Sequence, residues 1–392
     1  MIRHCEPQKG FLHRLGDRVL ALRSVRLRRW SLLGGAAFLL VVSVSYARAL
    51  LAPNSPGWRL RSAEWARDHH GSYLLDCCEW AWYSYKKPDS DAVAAPPLNA
   101  FPPTFPASKR HRVRNGHVPV PVDPRVAPAL AGEGIWRPVG QTVGKAPVLQ
   151  VTEFRPDPSH PSVMVSSAWL RSQSVSFVLV PGADEPGGDW AWHGAIPPSL
   201  RGELVAAFNS GFKLNEAVGG FYAEGREARA LVPGAASLVI DERGRLYIGR
   251  WEHELSRLPK IQAVRQSLQL IVEEAAVVRG LKHNRGGAWG PSLNQNLFTW
   301  RSGLGLTRAG DVIYVAGDGL TLSSLARALQ MAGAETAMQL DIHNGWCSFN
   351  VFQPKRRHGS QIIATTLNRY MTRPAERYLT PDDRDFLAVF LR

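Results

Sequence analysis

The stretch LDIHNGWCSF, Leu340 to Phe349, sets an acid, an imidazole, an amide, a glycine, an indole and a thiol directly behind an apolar run. At a strand end such a cluster can combine proton transfer, hydrogen bonding and ring stacking in one place. A second acid, Asp318, stands in AGDGLTLSSLARAL, just behind the apolar run Val312 to Ala316. Thr321 is placed to cap a helix, Leu322, Leu325, Leu329 and Ala332 fall on one of its faces, and Gly333 is placed to stop it. A further strand, Ala337 to Leu340, follows. Strand, helix, strand at this spacing predicts a right-handed crossover between parallel strands, with Asp318 and Asp341 on one sheet rim.

The elements that must carry this rim read as strands and hairpins with a further helix. SVSFVLV (Ser174 to Val180) and ELVAAF (Glu203 to Phe208) are strands by their β-rich apolar content. Hairpins are expected over Ser237 to Trp251, turning at Glu242 to Gly244, and over Leu297 to Gly317, turning near Ala309, Gly310 and Asp311. QSLQLIVEEAAVVRG, Gln266 to Gly280, has the length and propensity of a helix. The predicted fold class is α/β or α+β, a mixed sheet with hairpins and a strand-helix-strand crossover, preceded by an N-terminal transmembrane helix.

That transmembrane expectation comes from composition. The chain has 392 residues and a formal net charge of +14. Before position 30, eight arginines and lysines face only Glu6 and Asp17. They precede WSLLGGAAFLLVVSVSYA, Trp30 to Ala47, a run without charge that is long enough to cross a bilayer core. The basic flank should stay cytoplasmic and the C-terminal part be exported, giving a single-pass protein of the cell membrane. A cleaved signal peptide is the rival, since Ala47 and Ala49 are small.

Five segments follow: a basic cytoplasmic tail over 1–29, a signal anchor over 30–51, an aromatic-rich helical juxtamembrane segment over 52–87, a Pro-rich spacer over 88–131 with a basic cluster at Lys109, Arg110, Arg112 and Arg114, and a globular domain over 132–392. Much of the excess charge thus sits beside the membrane, which argues against nucleic acid as partner. Cys77 or Cys78 could bridge to Cys347 outside the cell. A metal site from His69, His70, Cys77 and Cys78 lacks the usual gap between ligands, so no metal is assigned. GQTVGKA, Gly140 to Ala146, is a residue short of a phosphate loop, and no GxSxG or HExxH appears.

The ordered set FNSGFKLN (Phe208 to Asn215), GGFY (Gly219 to Tyr222), WRSGLGLT (Trp300 to Thr307), AGDGLTLSSLARAL (Ala316 to Leu329) and LDIHNGW (Leu340 to Trp346) resembles the phosphodiester glycosidase family, over roughly Gly132 to Arg392. In that family a strand ends in Asn-Gly, an Arg opens a Gly-containing strand, and a Leu-Asp-Gly-Gly-Gly-Ser turn follows a helix and strand. Asn209, Arg301 and Asp341 stand at those places, but His343, Asn344 and Trp346 surround a single Gly345 where the glycine run is expected. The resemblance looks like a membrane-anchored bacterial branch.

It implies cleavage between an anomeric carbon and a phosphodiester oxygen, in envelope glycans or glycolipids, with a sugar-phosphate or anionic glycan as partner and no cofactor. Asp341 would serve the sugar carbon, Arg301 would hold phosphate, and Asp318 would be a second carboxylate. Asn209 and Asn344 would position hydroxyls, His343 would move a proton, Trp346 would stack on the sugar, and Lys213 is a second phosphate ligand. The alternative is a non-catalytic module on the same fold that binds anionic polysaccharide.

Overall fold

The computed structural model describes residues 33–51, 57–71, 75, 77–78, 81, 85, 87–88, 118–255, 260–284, 287–290, 295–354 and 362–392. The basic tail 1–29, most of the Pro-rich spacer with its Lys109 to Arg114 cluster, and much of the aromatic segment between 72 and 86 lie outside the described residues. The chain divides into two units, 1–53 with 57–70, and 54–56 with 71–392.

In the first unit, helix α1, Leu33–Leu51, is 19 residues long with mean hydropathy 1.6 and none of its apolar span buried. At ~1.5 Å per residue it reaches about 28 Å, close to a bilayer core. Helix α2, Trp58–Ala66, follows and runs into a π-helical turn, Arg67–Gly71. Trp65 donates its indole N–H to Ser45 Oγ at 3.0 Å and lies edge-on to Tyr46, with ring centroids 5.1 Å apart. The aromatic residues here therefore tie α2 to α1.

The second unit is built of strands. In chain order they are β1 (Arg137–Val143), β2 (Ala146–Phe154), β3 (Val165–Leu170), β4 (Val175–Val180), β5 (Leu204–Asn209), β6 (Phe221–Ala223), β7 (Arg226–Arg229), β8 (Ala236–Asp241) and β9 (Leu246–Arg250). Then come β10 (Ile261–Gln266), β11 (Leu270–Glu273), β12 (Ala276–Val277), β13 (Thr299–Leu306), β14 (Val312–Leu320), helix α3 (Leu322–Met331), β15 (Thr336–Ile342), β16 (Phe349–Pro354), β17 (Ile362–Thr366) and β18 (Phe386–Leu391). One sheet has the order β1-β2-β3-β14-β13-β15-β11-β12, a second β17-β16-β5-β18-β4 and a third β7-β6-β10-β8-β9.

Every described strand pairing is antiparallel, which makes the fold α+β with mostly antiparallel sheets. β14 and β15, joined by α3, run the same way as expected, but they are not neighbours. β13 lies between them, antiparallel to both. The crossover thus brings the two strand ends to one rim with a third strand inserted.

One face of the eight-stranded sheet packs on the second sheet, placing Leu304, Tyr314 and Leu340 with Phe208, Phe349 and Val389 in a single core. Phe349 stacks on Phe208 at 5.2 Å and leans on Tyr314 at 4.9 Å. The other face is covered by α3, whose Leu325 and Leu329 pack with Ile313 and Val315. Each such side chain contributes about 1.5–3 kcal/mol by leaving water. The helix approaches closely because β13 carries Gly303, where an added Cβ would lie 2.8 Å from Leu329 Cδ1.

Thr321 caps α3 as its position predicts. Its Oγ1 accepts from Ser324 N at 3.1 Å, and Ser324 Oγ accepts from Thr321 N at 2.9 Å, a reciprocal capping box. Thr321→Ala should therefore cost about 1 kcal/mol and lower the melting temperature by about 2–4 °C in a calorimetric scan.

The hairpins turn at Gly244 and Gly310, both at positive φ. Gln266 to Gly280 is not the expected helix but β11, a two-residue turn and β12, with Glu274 and Ala275 at φ of 48° and 59°. Leu270 and Val272 pair with Met338 and Ala337 of β15, so edge pairing on a packed sheet overrides the helical propensity of Glu and Ala. Cys77, Cys78 and Cys347 are free thiols, so the anticipated bridge is not formed. Among the described residues no group of His, Cys, Asp and Glu is arranged to hold a metal.

Candidate functional site

Three strand ends and one charged approach meet at the rim. β5 ends in Asn209, β13 offers Ser302, β15 ends beside Asp341, and Asp382 to Asp385 lead into β18. Asn209 is 5% exposed and staples the two sheets together. Its Oδ1 accepts from Tyr314 Oη at 3.0 Å and Ser348 N at 3.1 Å, while Nδ2 donates to Ser302 Oγ at 3.0 Å. It therefore supports the site from beneath. The Ser-Gly that follows has its own cause: a Cβ on Gly211 would lie 3.2 Å from the Arg265 guanidinium.

Asp341 is 3% exposed. Its Oδ1 accepts from Ile342 N at 2.8 Å, and its Oδ2 lies 2.9 Å from Arg384 Nη2. Burial pushes its carboxyl up to about 6, against the opposing pull of the Arg384 charge and the Ile342 N–H, while Glu216 adds to the rise. Where turnover requires the carboxylate, kcat/KM should fall tenfold per unit as pH drops below about 6, because the proton occupies the group there. A rate profile from pH 4 to 8 at low substrate concentration reads this limb directly.

Arg301 makes hydrogen bonds on the helix side of β13. Side chains alternate along a strand, and Ser302 faces Asn209, so Arg301 is turned to the α3 side. There its Nε donates to the Leu320 carbonyl at 2.9 Å and its Nη1 to Gln339 Oε1 at 3.0 Å. It is 1% exposed and braces the entry to α3. Asp318 is exposed, and its Oδ1 accepts from Gly319 N at 2.8 Å, a local turn contact. The Arg301 bonds run to Leu320 and Gln339 and the Asp318 bond to Gly319, whereas Asp341 is held by Ile342 and Arg384. The alternation and the irregular registers at Thr299/Arg301 and Ser302/Gly303 account for this separation.

The turn after Asp341 holds the remaining predicted residues. His343 is 9% exposed and adopts φ 70°, a left-handed conformation natural to glycine and tolerated by His more readily than by most residues. Its carbonyl accepts from Trp346 N at 3.2 Å and Cys347 N at 3.1 Å. Asn344 is exposed, and its carbonyl accepts from Thr372 Oγ1 at 3.1 Å. Trp346 is buried, with the Arg384 Cζ 4.5 Å from its ring centroid. Lys213 is half-buried, and its charge acts on Glu185.

Several groups at the site escaped the sequence reading. Arg384 joins Asp341 to Glu185, whose Oε2 lies 4.0 Å from Arg384 Nε. Burial raises the Glu185 carboxyl, opposed by Arg384, and Asp385 adds to the rise. Asp382 accepts from Arg377 Nη2 at 2.9 Å and Arg373 Nη2 at 3.2 Å. Burial alone would raise Asp382, but these guanidiniums hold it below the usual carboxylate range. The signal for this cluster is TPDDRDF, a dense run of charge directly before the apolar strand Phe386–Leu391. Two raised carboxyls about one arginine, beside a buried indole, can support an electron-poor carbon and hold an oxyanion next to it.

Residues 202–341 match the family model described as phosphodiester glycosidase, a span running from just before β5 to Asp341 itself. No curated protein sequence matches the chain. Among solved structures, similarity is found to the zebrafish N-acetylglucosamine-1-phosphodiester alpha-N-acetylglucosaminidase catalytic domain auto-inhibited by its pro-peptide, at 15% identity and TM-score 0.43, covering 64% of this chain and 86% of that one. It is also found to a hypothetical protein from Synechocystis, at 13% identity and TM-score 0.41, covering 65% of this chain and 64% of that one.

Proposed function

We propose, from the phosphodiester glycosidase match over residues 202–341, that this protein is a membrane-anchored, extracytoplasmic hydrolase that cleaves sugar-1-phosphodiesters of envelope glycans or glycolipids. The observation that carries the reading is Asp341, a buried carboxylate at a strand end, 2.9 Å from the Arg384 guanidinium. The bond broken lies between the anomeric carbon and the phosphodiester oxygen. Water supplies the new oxygen on the sugar, and the phosphomonoester departs.

Such cleavage passes through an oxocarbenium-like state that a carboxylate stabilises or captures. Asp341 takes that role. The departing phosphate is a weak base and needs charge neutralisation more than a proton, and Arg384, rather than Arg301, lies where it can give this. When substrate phosphate draws the guanidinium, Asp341 is released to the carbon. Lys213 adds positive charge on the same side, and Glu185 replaces Asp318 as the second carboxylate. Helix α1 anchors the protein, with the basic flank before it cytoplasmic.

The test is product chromatography after incubating the full-length protein with a panel of sugar-1-phosphodiesters. Release of free sugar and phosphomonoester from at least one member supports the reading. A second reading, an anionic-glycan binder without turnover, is favoured by His343 standing at φ 70° where the family resemblance calls for glycine. Retention of a phosphodiester ligand with no product from any member would support that reading instead.

A further inference from the structure

Three guanidiniums gather on one indole beside Asp341. The Cζ atoms of Arg384, Arg377 and Arg373 lie 4.5, 5.8 and 6.0 Å from the Trp346 ring centroid. All four residues are more than nine-tenths buried. Burying like charges together is unfavourable unless counter-charge or an acceptor meets them. Asp382 answers Arg373 and Arg377, and Asp341 answers Arg384. Glu185 also lies 4.0 Å from Arg384, so counter-charge is present around the cluster and what is left unmet is hydrogen bonding. Within the cluster, Trp346 Nε1 and Arg377 Nη1 are buried with no hydrogen-bond partner among the described residues. Neither atom can accept, so what they await is an acceptor.

We propose that the Arg373, Arg377 and Arg384 cluster around Trp346 is an oxyanion subsite that receives the phosphodiester group of the substrate. This deepens the glycosidase reading and rests on it for the identity of the ligand. Guanidinium forks match the paired oxygens of a phosphodiester, and the indole N–H supplies a neutral donor to the same group. A neutral glycoside would leave the buried donors unmet, so the cluster selects sugar phosphates over ordinary glycosides. A purely structural cluster that pins the segment leading into β18 would gain nothing from the Trp346 N–H.

The experiment is calorimetric titration of dimethyl phosphate into the detergent-solubilised full-length chain. Saturable binding at one site is expected. Trp346→Phe keeps the ring and removes the N–H, and should weaken that binding about tenfold. Arg373→Gln should weaken it at least as much. Asp341→Asn removes a neighbouring negative charge and should retain or tighten it. Absence of binding, or equal affinity in the wild type and Trp346→Phe, overturns the proposal. If Arg373→Gln fails to fold by circular dichroism, Trp346→Phe decides alone. The glycosidase reading fails separately, by the absence of free sugar and phosphomonoester from every sugar-1-phosphodiester incubated with the wild-type protein, whatever the titration shows.

Discussion

Asp341→Asn should lower turnover of a sugar-1-phosphodiester roughly 10²–10⁴-fold, read as the initial rate of sugar release. The substitution is nearly isosteric. The amide carbonyl can still accept from Ile342 N, so the turn into His343 keeps its backbone hydrogen bond. What disappears is the charge that faces the developing cation. Arg384 loses its ion pair with Asp341 but keeps Glu185 at 4.0 Å and remains hydrogen-bonded to the Gly211 carbonyl at 2.8 Å and stacked near Trp346. Some stability is lost with the buried pair, so the rate must be compared at a temperature where both proteins are folded. A variant that is folded and turns over at the wild-type rate removes Asp341 from the chemistry.

Arg265→Met should produce the largest loss of stability. Arg265 is fully buried, its Nε lies 2.8 Å from Asp385 Oδ2, and its Nη1 donates to the Gln266 carbonyl at 2.6 Å. It also donates to the Phe212 carbonyl, which ties the loop after β5 to β10. Removing it leaves Asp385 charged in the interior, at a cost of about 3–5 kcal/mol and a fall in melting temperature of about 10 °C. Arg308→Met is the contrast. That residue pairs with Glu335 at 3.2 Å but its side chain is 86% exposed, and the change should stay within about 0.5 kcal/mol. Equal effects in the two variants, by thermal unfolding, would contradict this assignment of burial.

The parts of this architecture that could be read in advance are those with local chemistry. Helix α3 carries its own cap at Thr321, a single apolar face and Gly333 at φ 101° as a stop. The two hairpins have glycine at their turns. The β11–β12 turn uses Glu274 and Ala275 instead, residues that give no warning of positive φ, and the segment reads as a helix. Asp341 was legible because it ends an apolar strand. Arg384 and Glu185 were not, since they reach it from segments far apart in the chain, and only the sheet packing joins them. Arg301 shows a different limit. Which face a strand residue takes depends on register, and a one-residue irregularity reverses it. The irregularities at Thr299/Arg301 and Ser302/Gly303 leave no mark in composition or spacing.

On the proposed reading a carboxylate, not a water activated at phosphorus, acts on the reacting atom, and that sets which bond breaks. Hydrolysis of a sugar-1-phosphodiester in ¹⁸O-labelled water, followed by mass spectrometry of both products, reads that bond. The account predicts the label in the released sugar and none in the phosphomonoester; label in the phosphomonoester would mean cleavage between phosphorus and oxygen, and would contradict it.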